Sequence, residues 1–247
     1  HEGRSPLHIG ILSSNCPTDV LNTVHENVSS PKIYDSEHRS LLHLAAQAPG
    51  LKSFEWVKQK FGSRMDKKDN MGRSPLHYAL LYGNIELVNY LLKNITAAKL
   101  GELFDNEHRS MLHYAVLGGK ECLVEKIIKL NKNSIHWKDK DGRTALNLAA
   151  QKGHTAIFDI LIEKGADAEM ITDDGTTLLH EAAQSGNVTL VKKLLNSDGD
   201  DNAKTNATNN EGKTPLALAL ATGNMEVVKV LIEKGIPKQK IDANSNN

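Results

Sequence analysis

Aromatic residues are scarce in this 247-residue chain, at 4% of the whole. A single globular core of this length leans on large rings, so the apolar residues must be organised differently, as in elongated arrays built from Leu, Ile, Val and Ala. Cysteine is almost missing: Cys16 and Cys122 stand alone with no regular spacing. That argues against a disulfide framework and fits a reducing, intracellular setting, cytoplasm or nucleus. Formal net charge is zero, so no global field draws the chain to nucleic acid or to an anionic membrane. No apolar run is long enough to span a bilayer and no signal peptide is evident, so membrane insertion is not expected. P-loop, GxSxG, HExxH and dinucleotide fingerprints are missing too. Neither an enzyme, a cofactor nor a metal is expected. The first residue is His1 rather than Met, which points to a natural N-terminus outside this sequence.

What the chain does have is a repeat, the first thing to look for. One phrase recurs as Ser5-Pro6-Leu7-His8, Ser40-Leu41-Leu42-His43, Ser74-Pro75-Leu76-His77 and Ser110-Met111-Leu112-His113. It continues as Thr144-Ala145-Leu146-Asn147, Thr177-Leu178-Leu179-His180 and Thr214-Pro215-Leu216-Ala217. The aligned leucines 7, 42, 76, 112, 146, 179 and 216 are separated by 35, 34, 36, 34, 33 and 37 residues. The leading Ser or Thr suits a helix N-cap, and Pro suits the first helical turn. A small-residue column follows (Gly10, Ala45, Ala79, Ala115, Ala149, Ala182, Ala219), where helices must approach closely. A glycine column (Gly83, Gly119, Gly153, Gly186, Gly223) can end the first helix in a left-handed conformation. The second helix carries an apolar stripe, as in Val88, Leu91 and Leu92, that no single unit can bury, so the units must stack.

These residues resemble the ankyrin repeat family. The match to its phrase Gly-x-Thr-Pro-Leu-His-x-Ala-Ala-x-x-Gly-His is close in residues 72–84 and 142–154 and covers nearly the whole chain. The resemblance implies an all-α solenoid of stacked helix-turn-helix units with finger turns, forming one array over 1–247. The repeats fall near 1–34, 35–68, 69–104, 105–138, 139–171, 172–208 and 209–241, and 242–247 reads as the start of another. The array is therefore expected to be part of a longer one. Departures are local. Gly10 replaces the usual Ala, residues 13–18 are irregular, and repeat two has Pro49-Gly50 instead of a loop glycine. His38 and His108 replace the turn glycine of repeats two and four, and the finger over 196–210 is long and polar.

Eleven histidines invite a metal reading. Five, His8, His43, His77, His113 and His180, occupy the phrase, where the family uses the side chain to hydrogen-bond backbone and tie repeats together. Residues one repeat apart lie roughly 10 Å apart, too far to share a zinc ion. Cys122 falls in an outward column and lacks a neighbouring base and orienting group, so it reads as a surface thiol. The sequons at Asn27 and Asn187 are idle in an intracellular chain.

A charge ladder follows the turns. Arg4, Arg39, Arg73, Arg109, Arg143 and Lys213 are broken by Thr176. Two places earlier stand Glu2, Glu37, Glu107, Asp141, Asp174 and Glu211, broken by Met71. This arrangement predicts a solvated ladder between stacked tips with Arg73 lacking its local acid. Exposed pairs of this kind contribute about 0–1 kcal/mol each. The resemblance implies that the partner is another protein, bound on the concave groove. Apolar, aromatic and basic side chains cluster in repeats two to four: Tyr34, Arg39, Met71, Arg73, Leu81, Tyr82, Phe104, Arg109 and Leu117, with Trp137 and Arg143 extending the patch. Tyr and Arg are favoured interface anchors, and Met adapts to partner shape. The opposing expectation is that Tyr34 and Phe104 fold back on the fingers and stiffen the stack. A nucleic-acid partner is disfavoured by the matching acidic ladder. The alternative to a free-standing, monomeric interaction module is the regulatory or targeting arm of a longer polypeptide: a channel, a toxin, or a bacterial effector acting in a host cell, as the Asn- and Lys-rich composition hints.

Overall fold

A computed structural model describes residues 4–13, 16–28, 33–62, 64–93, 95–196 and 201–235. Sixteen α-helices appear among them: α1 Pro6–Leu12, α2 Thr18–Glu26, α3 Leu41–Ala45, α4 Lys52–Phe61, α5 Pro75–Leu81, α6 Ile85–Leu92, α7 Ala97–Gly101, α8 Met111–Leu117, α9 Glu121–Leu130, α10 Ala145–Gln151, α11 Thr155–Glu163, α12 Leu178–Ser185, α13 Val188–Asn196, α14 Asp201–Asn206, α15 Pro215–Ala221 and α16 Met225–Gly235. A 3₁₀ turn spans Lys132–His136. Among the described residues the only extended pairing is an isolated antiparallel bridge between Tyr34 and Ser40. The expected 242–247 segment and Glu2 of the acidic column lie outside the described residues.

The recurring phrase builds an inner row of helices, α1, α3, α5, α8, α10, α12 and α15, each packed on the next. Outer helices pair with their own inner helix and with outer neighbours, as α9 does with α8 and α11. The small-residue column lines the inner row: Ala45, Ala79, Ala115, Ala149, Ala182 and Ala219 are all buried. The apolar stripe of the outer helices closes the other side with Leu87, Val88, Leu123, Val124, Leu190 and Val191. One continuous apolar core runs from Leu7 to Leu231, as expected where no unit can bury its stripe alone.

The loop glycines adopt the left-handed conformation the sequence calls for, with φ of 66° to 76° at Gly83, Gly119, Gly153, Gly186 and Gly223. Repeat two is expected to lack this glycine, but Gly50, one place later than the column, takes the same conformation at φ 76°, after a short α3 of five residues. Extra residues between an outer helix and the next finger fold into α7, the 3₁₀ turn and α14. Of these, α7 and α14 account for the longer steps after repeats three and six.

Phrase histidines do the tying expected of them at three junctions, while His77 caps its own helix without bridging. In Ser74-Pro75-Leu76-His77 the Ser74 backbone N–H and hydroxyl both meet His77 Nδ1, at 2.9 Å. Because Nδ1 accepts, the proton of the neutral ring sits on Nε2, which can donate outward. It does so at three junctions: His43 to the Arg73 carbonyl at 2.9 Å, His113 to that of Arg143 at 3.0 Å and His180 to that of Lys213 at 3.0 Å. Burial is the leading cause that lowers the pKa of all three, and it drives that of His77 down to about 3.

Backbone hydrogen bonds join successive fingers, and side-chain bonds such as Asn106 Nδ2 to the Asn70 carbonyl at 2.9 Å add to them. Asn70 donates to the Glu37 carbonyl at 3.1 Å, Asn106 to Met71 at 2.9 Å, Lys140 to Glu107 at 3.0 Å, Asp173 to Asp141 at 3.1 Å and Asn210 to Asp174 at 2.8 Å. These bonds run from repeat two to repeat seven.

Candidate protein-interaction groove

Each finger is a tight turn built around its first residue. Asp69 accepts from the backbone N–H groups of Met71 and Arg73, both at 2.9 Å, and its own N–H donates to the Arg73 carbonyl at 2.9 Å. Asp35 and Asp139 do the same in their turns, and Asp105 accepts from the Arg109 N–H at 2.7 Å. These aspartates are buried, and they, rather than the tip acids, are the partners of the early arginines. Arg73 Nε donates to Asp69 Oδ2 at 2.8 Å, and Arg39 Nε to Asp35 Oδ2 at 2.6 Å. The expectation that Arg73 lacks a local acid is thus corrected: its acid stands four residues earlier, where the turn folds it under the guanidinium. Tyr78 completes the triad, donating its hydroxyl to Asp69 Oδ2 at 2.6 Å, with Arg73 lying 5.0 Å over its ring. Tyr114 repeats the bond on Asp105 at 2.7 Å. Burial by itself would raise the Asp69 carboxyl, but the Tyr78 hydroxyl and the Arg73 N–H and guanidinium outweigh it and hold its pKa below the ordinary value. Burial first, then the bond to Asp69, pushes the Tyr78 phenol up.

Further along, the ladder changes character. Arg109 Nε faces Asp139 Oδ2 of the next finger at 3.8 Å, an ion contact rather than a hydrogen bond. Arg143 reaches its tip acid Asp141 at 3.2 Å, as the ladder predicts, and also approaches Glu181 on α12 at 3.9 Å. Lys213 pairs with Glu211 at 2.6 Å. Glu181 is buried, and desolvation is the leading cause that raises its pKa to about 7, against the pull of Arg143.

The aromatic candidates divide. Tyr34 stacks on His38 with ring centroids 4.5 Å apart, and Phe104 stacks on His108 at 4.6 Å. His38 and His108 are the non-glycine residues with positive φ among the described residues, both 59°. A left-handed turn position strains a side chain, and here a flat ring four residues earlier packs on the imidazole that bears it. Trp137 leans on Phe104 at 5.3 Å, and a Cβ added at Gly101 would meet its ring at 3.5 Å. Tyr34, Phe104 and Trp137 therefore brace the fingers, and Tyr34 lines a cavity shared with Val57 and Phe61 of outer helix α4. Leu81 and Leu117 are half-buried against the core. Tyr82, 55% exposed at the C-terminal end of α5, and Met71, 39% exposed at the finger tip, face solvent in repeat three. Ile9 and Leu220 are also exposed, on the first and last inner helices.

Several contributors were not singled out from sequence. The finger aspartates and Tyr78 recur with the same period as the leucines, so a column reading could have found them. Asn84, Asn187 and Asn224, each after a loop glycine, staple outer helices to the preceding repeat; Asn84 Nδ2 donates to the Ala48 and Gly50 carbonyls at 2.7 and 2.8 Å. Gly118 lies so close to α5 that an added Cβ would collide with the Leu80 carbonyl oxygen.

Among the described residues no group of His, Cys, Asp and Glu is arranged to hold a metal ion, and no helix is long and apolar enough to cross a membrane. Cys16 and Cys122 are free thiols.

Comparison with known proteins agrees with this geometry. The family profile described as "Ankyrin repeats (3 copies)" matches residues 7–102, 42–129, 112–206 and 172–247. Over 92 residues the chain is 36% identical to a putative ankyrin repeat protein of fowlpox virus, covering 37% of this chain and 27% of that protein. It is 30% identical over 212 residues to the ankyrin repeat protein nuc-2 of Neurospora crassa, covering 84% of this chain and 19% of that protein. The probable 26S proteasome regulatory subunit p28 of Saccharomyces cerevisiae is 29% identical over 172 residues, covering 68% of this chain and 73% of that protein. The chain thus spans only about a quarter and a fifth of the first two relatives. Repeating phrase, stacked helix pairs, bonded fingers and profile match together identify the chain as a member of the ankyrin repeat family.

Proposed function

We propose that this array is a protein-interaction module that holds a partner protein between its finger tips and inner helices, centred on repeat three. The observation that carries the reading is the exposed pair Met71 and Tyr82, flanked by the half-buried Leu81 and Leu117. Exposed apolar surface of this kind marks contact sites, and Tyr and Met are suited to partner anchoring. The arginines contribute differently. Arg39 and Arg73 are already engaged with buried aspartates, so they present a fixed polar rim rather than free charge. The test is affinity capture from cell extract with the chain as it stands and with a Met71→Ser, Tyr82→Ala double variant. Both positions are exposed, so the thermal melt should hold while capture falls by about tenfold or more. Undiminished capture would remove repeat three as the site.

A second setting for the same module is as the recognition arm of a longer polypeptide. The small share of the fowlpox and Neurospora relatives that this chain spans supports it. The two free thiols support an intracellular location.

A further inference from the structure

A cavity of about 520 Å³ lies away from the finger tips, beneath the repeat-three finger. Its walls come from several elements: α4, the approach to the finger, the start of α5, the end of α6, and α7 with the residue pair that follows it. Apolar surface comes from Met65, Leu76, Tyr90, Leu91, Ile95 and Leu103. Four of these, Met65, Tyr90, Ile95 and Leu103, are only partly buried, so their free faces line the space. The volume falls within the roughly 300–1,000 Å³ of small-molecule sites, which are apolar inside with a few placed polar groups.

The placed polar groups here are cationic. Lys58, Lys68, Lys93 and Lys99 meet at the cavity against the carboxylates Asp66 and Glu102, an excess of positive charge in a chain whose net charge is zero. Lys99 faces Glu102 at 3.5 Å. The others are not so neutralised: Lys58 Nζ donates to the Tyr90 hydroxyl at 2.5 Å and Lys68 Nζ to the Phe104 carbonyl at 3.1 Å, both uncharged acceptors. An ammonium group has three donors, so each keeps capacity for an anion. Size sets this cavity apart from its counterparts. The corresponding cavity of repeat two, which also carries cations in Arg64 and Lys67, holds about 250 Å³, and that of repeat six, lined by both Glu169 and Lys204, holds about 110 Å³.

We propose that this cavity binds a single-chain amphipathic anion, an alkyl chain capped by a carboxylate or phosphate, with the chain among Leu76, Leu91, Ile95 and Leu103 and the head group on Lys58, Lys68 and Lys93. The apolar walls and the cationic rim require those two chemistries in one ligand. The site is separate from Met71 and Tyr82, so it stands or falls apart from the partner-binding reading.

The experiment is isothermal titration calorimetry of the full chain with dodecyl phosphate kept below its micelle concentration. One-to-one saturable binding is expected, with dodecanoate binding similarly. Inorganic phosphate and dodecyltrimethylammonium should each bind at least about tenfold more weakly, since each lacks one half of the required chemistry. A Lys68→Glu, Lys93→Glu variant, at two exposed positions, should weaken dodecyl phosphate by about tenfold or more with an unchanged melt. Leu103→Trp, which fills the cavity, should do the same; should it unfold, the lysine variant decides. No saturable binding, equal binding by the cationic amphiphile, an unaffected lysine variant, or binding only to phosphatidylserine vesicles would each overturn the proposal.

Discussion

Two kinds of junction alternate along the stack. Between repeats two and three, four and five, and six and seven, the phrase histidine donates Nε2–H to a carbonyl of the next finger. Between three and four, His77 is wholly buried and its Nε2 finds no partner. Between five and six the phrase carries Asn147. Its Oδ1 reproduces the cap bonds to Thr144 at 3.0 and 2.8 Å, but its Nδ2 is too short to cross and remains unsatisfied. A buried unpaired donor costs roughly 1–3 kcal/mol, and a satisfied one contributes about 1 kcal/mol. The unbridged junctions are held by packing together with the finger bonds from Asn106 to Met71 and from Asp173 to Asp141. At three-four the means is visible: Gly118 lets α8 close on the α5 backbone, and the Tyr114 ring stands edge-on to His77 at 4.8 Å. The phrase therefore supplies two separable functions, capping its own helix and bridging to the next repeat, and the second can be dropped where packing replaces it.

The sharpest way to break this comparison is Gly118→Ala. Its Cβ would run into the Leu80 carbonyl, a backbone atom that cannot swing aside, so α8 must move off α5. A loss of about 3 kcal/mol is expected, at the upper end of overpacking, measured by urea unfolding. A loss under about 0.5 kcal/mol would show that the junction has slack. Next in size is a matched pair of Asn substitutions. His113→Asn keeps the cap and deletes a bridge; His77→Asn keeps the cap where no bridge exists. The first should cost about 1 kcal/mol more than the second, and equal losses would mean the bridges carry no net stability.

Much of this organisation was legible in sequence, and what was not has a common cause. Period, caps, small-residue column and left-handed glycines are properties of one column each, so they show in a single chain. Pairings between columns depend on how the finger turns. Arg73 was read against Met71, two residues away, whereas the turn brings Asp69, four residues away, beneath it. Tyr34 and Phe104 occur only where His38 and His108 replace the turn glycine. Both departures were visible, but their coupling emerges only once the rings are seen to stack. Gly118 sits beside Gly119 in the chain, and only the second of the two was needed to explain a turn.

The smallest expected effect concerns the junction of repeats five and six. Glu181 faces Arg143, Asp174, Asp139 and Gln151, and burial raises its pKa to about 7. A raised carboxyl pKa means that its stabilising contribution is full below the ordinary value of 4.5 and is lost as pH rises through about 7. Glu181→Gln should therefore be the more stable protein at pH 8, with the advantage shrinking by on the order of 1 kcal/mol by pH 5. The difference between variants is the quantity to follow, because both proteins share the buried neutral histidines. The lowered pKa values of His43, His77, His113 and His180 make stability present above 6.5 and lost below it, at up to about 1.4 kcal/mol per pH unit each. An advantage that is constant from pH 5 to pH 8 would place Glu181 outside the titration.

The acceptors of the backbone bonds between fingers are atoms that every residue possesses. The carbonyls of Glu37, Met71, Glu107, Asp141 and Asp174 receive the next finger whatever side chain they carry. Whether the tip carries an acid or the thioether of Met71, the same bond forms. The surface can therefore be rewritten one repeat at a time, as a row of type is reset in a fixed frame, and a change of partner at one tip need not disturb the reading of the others.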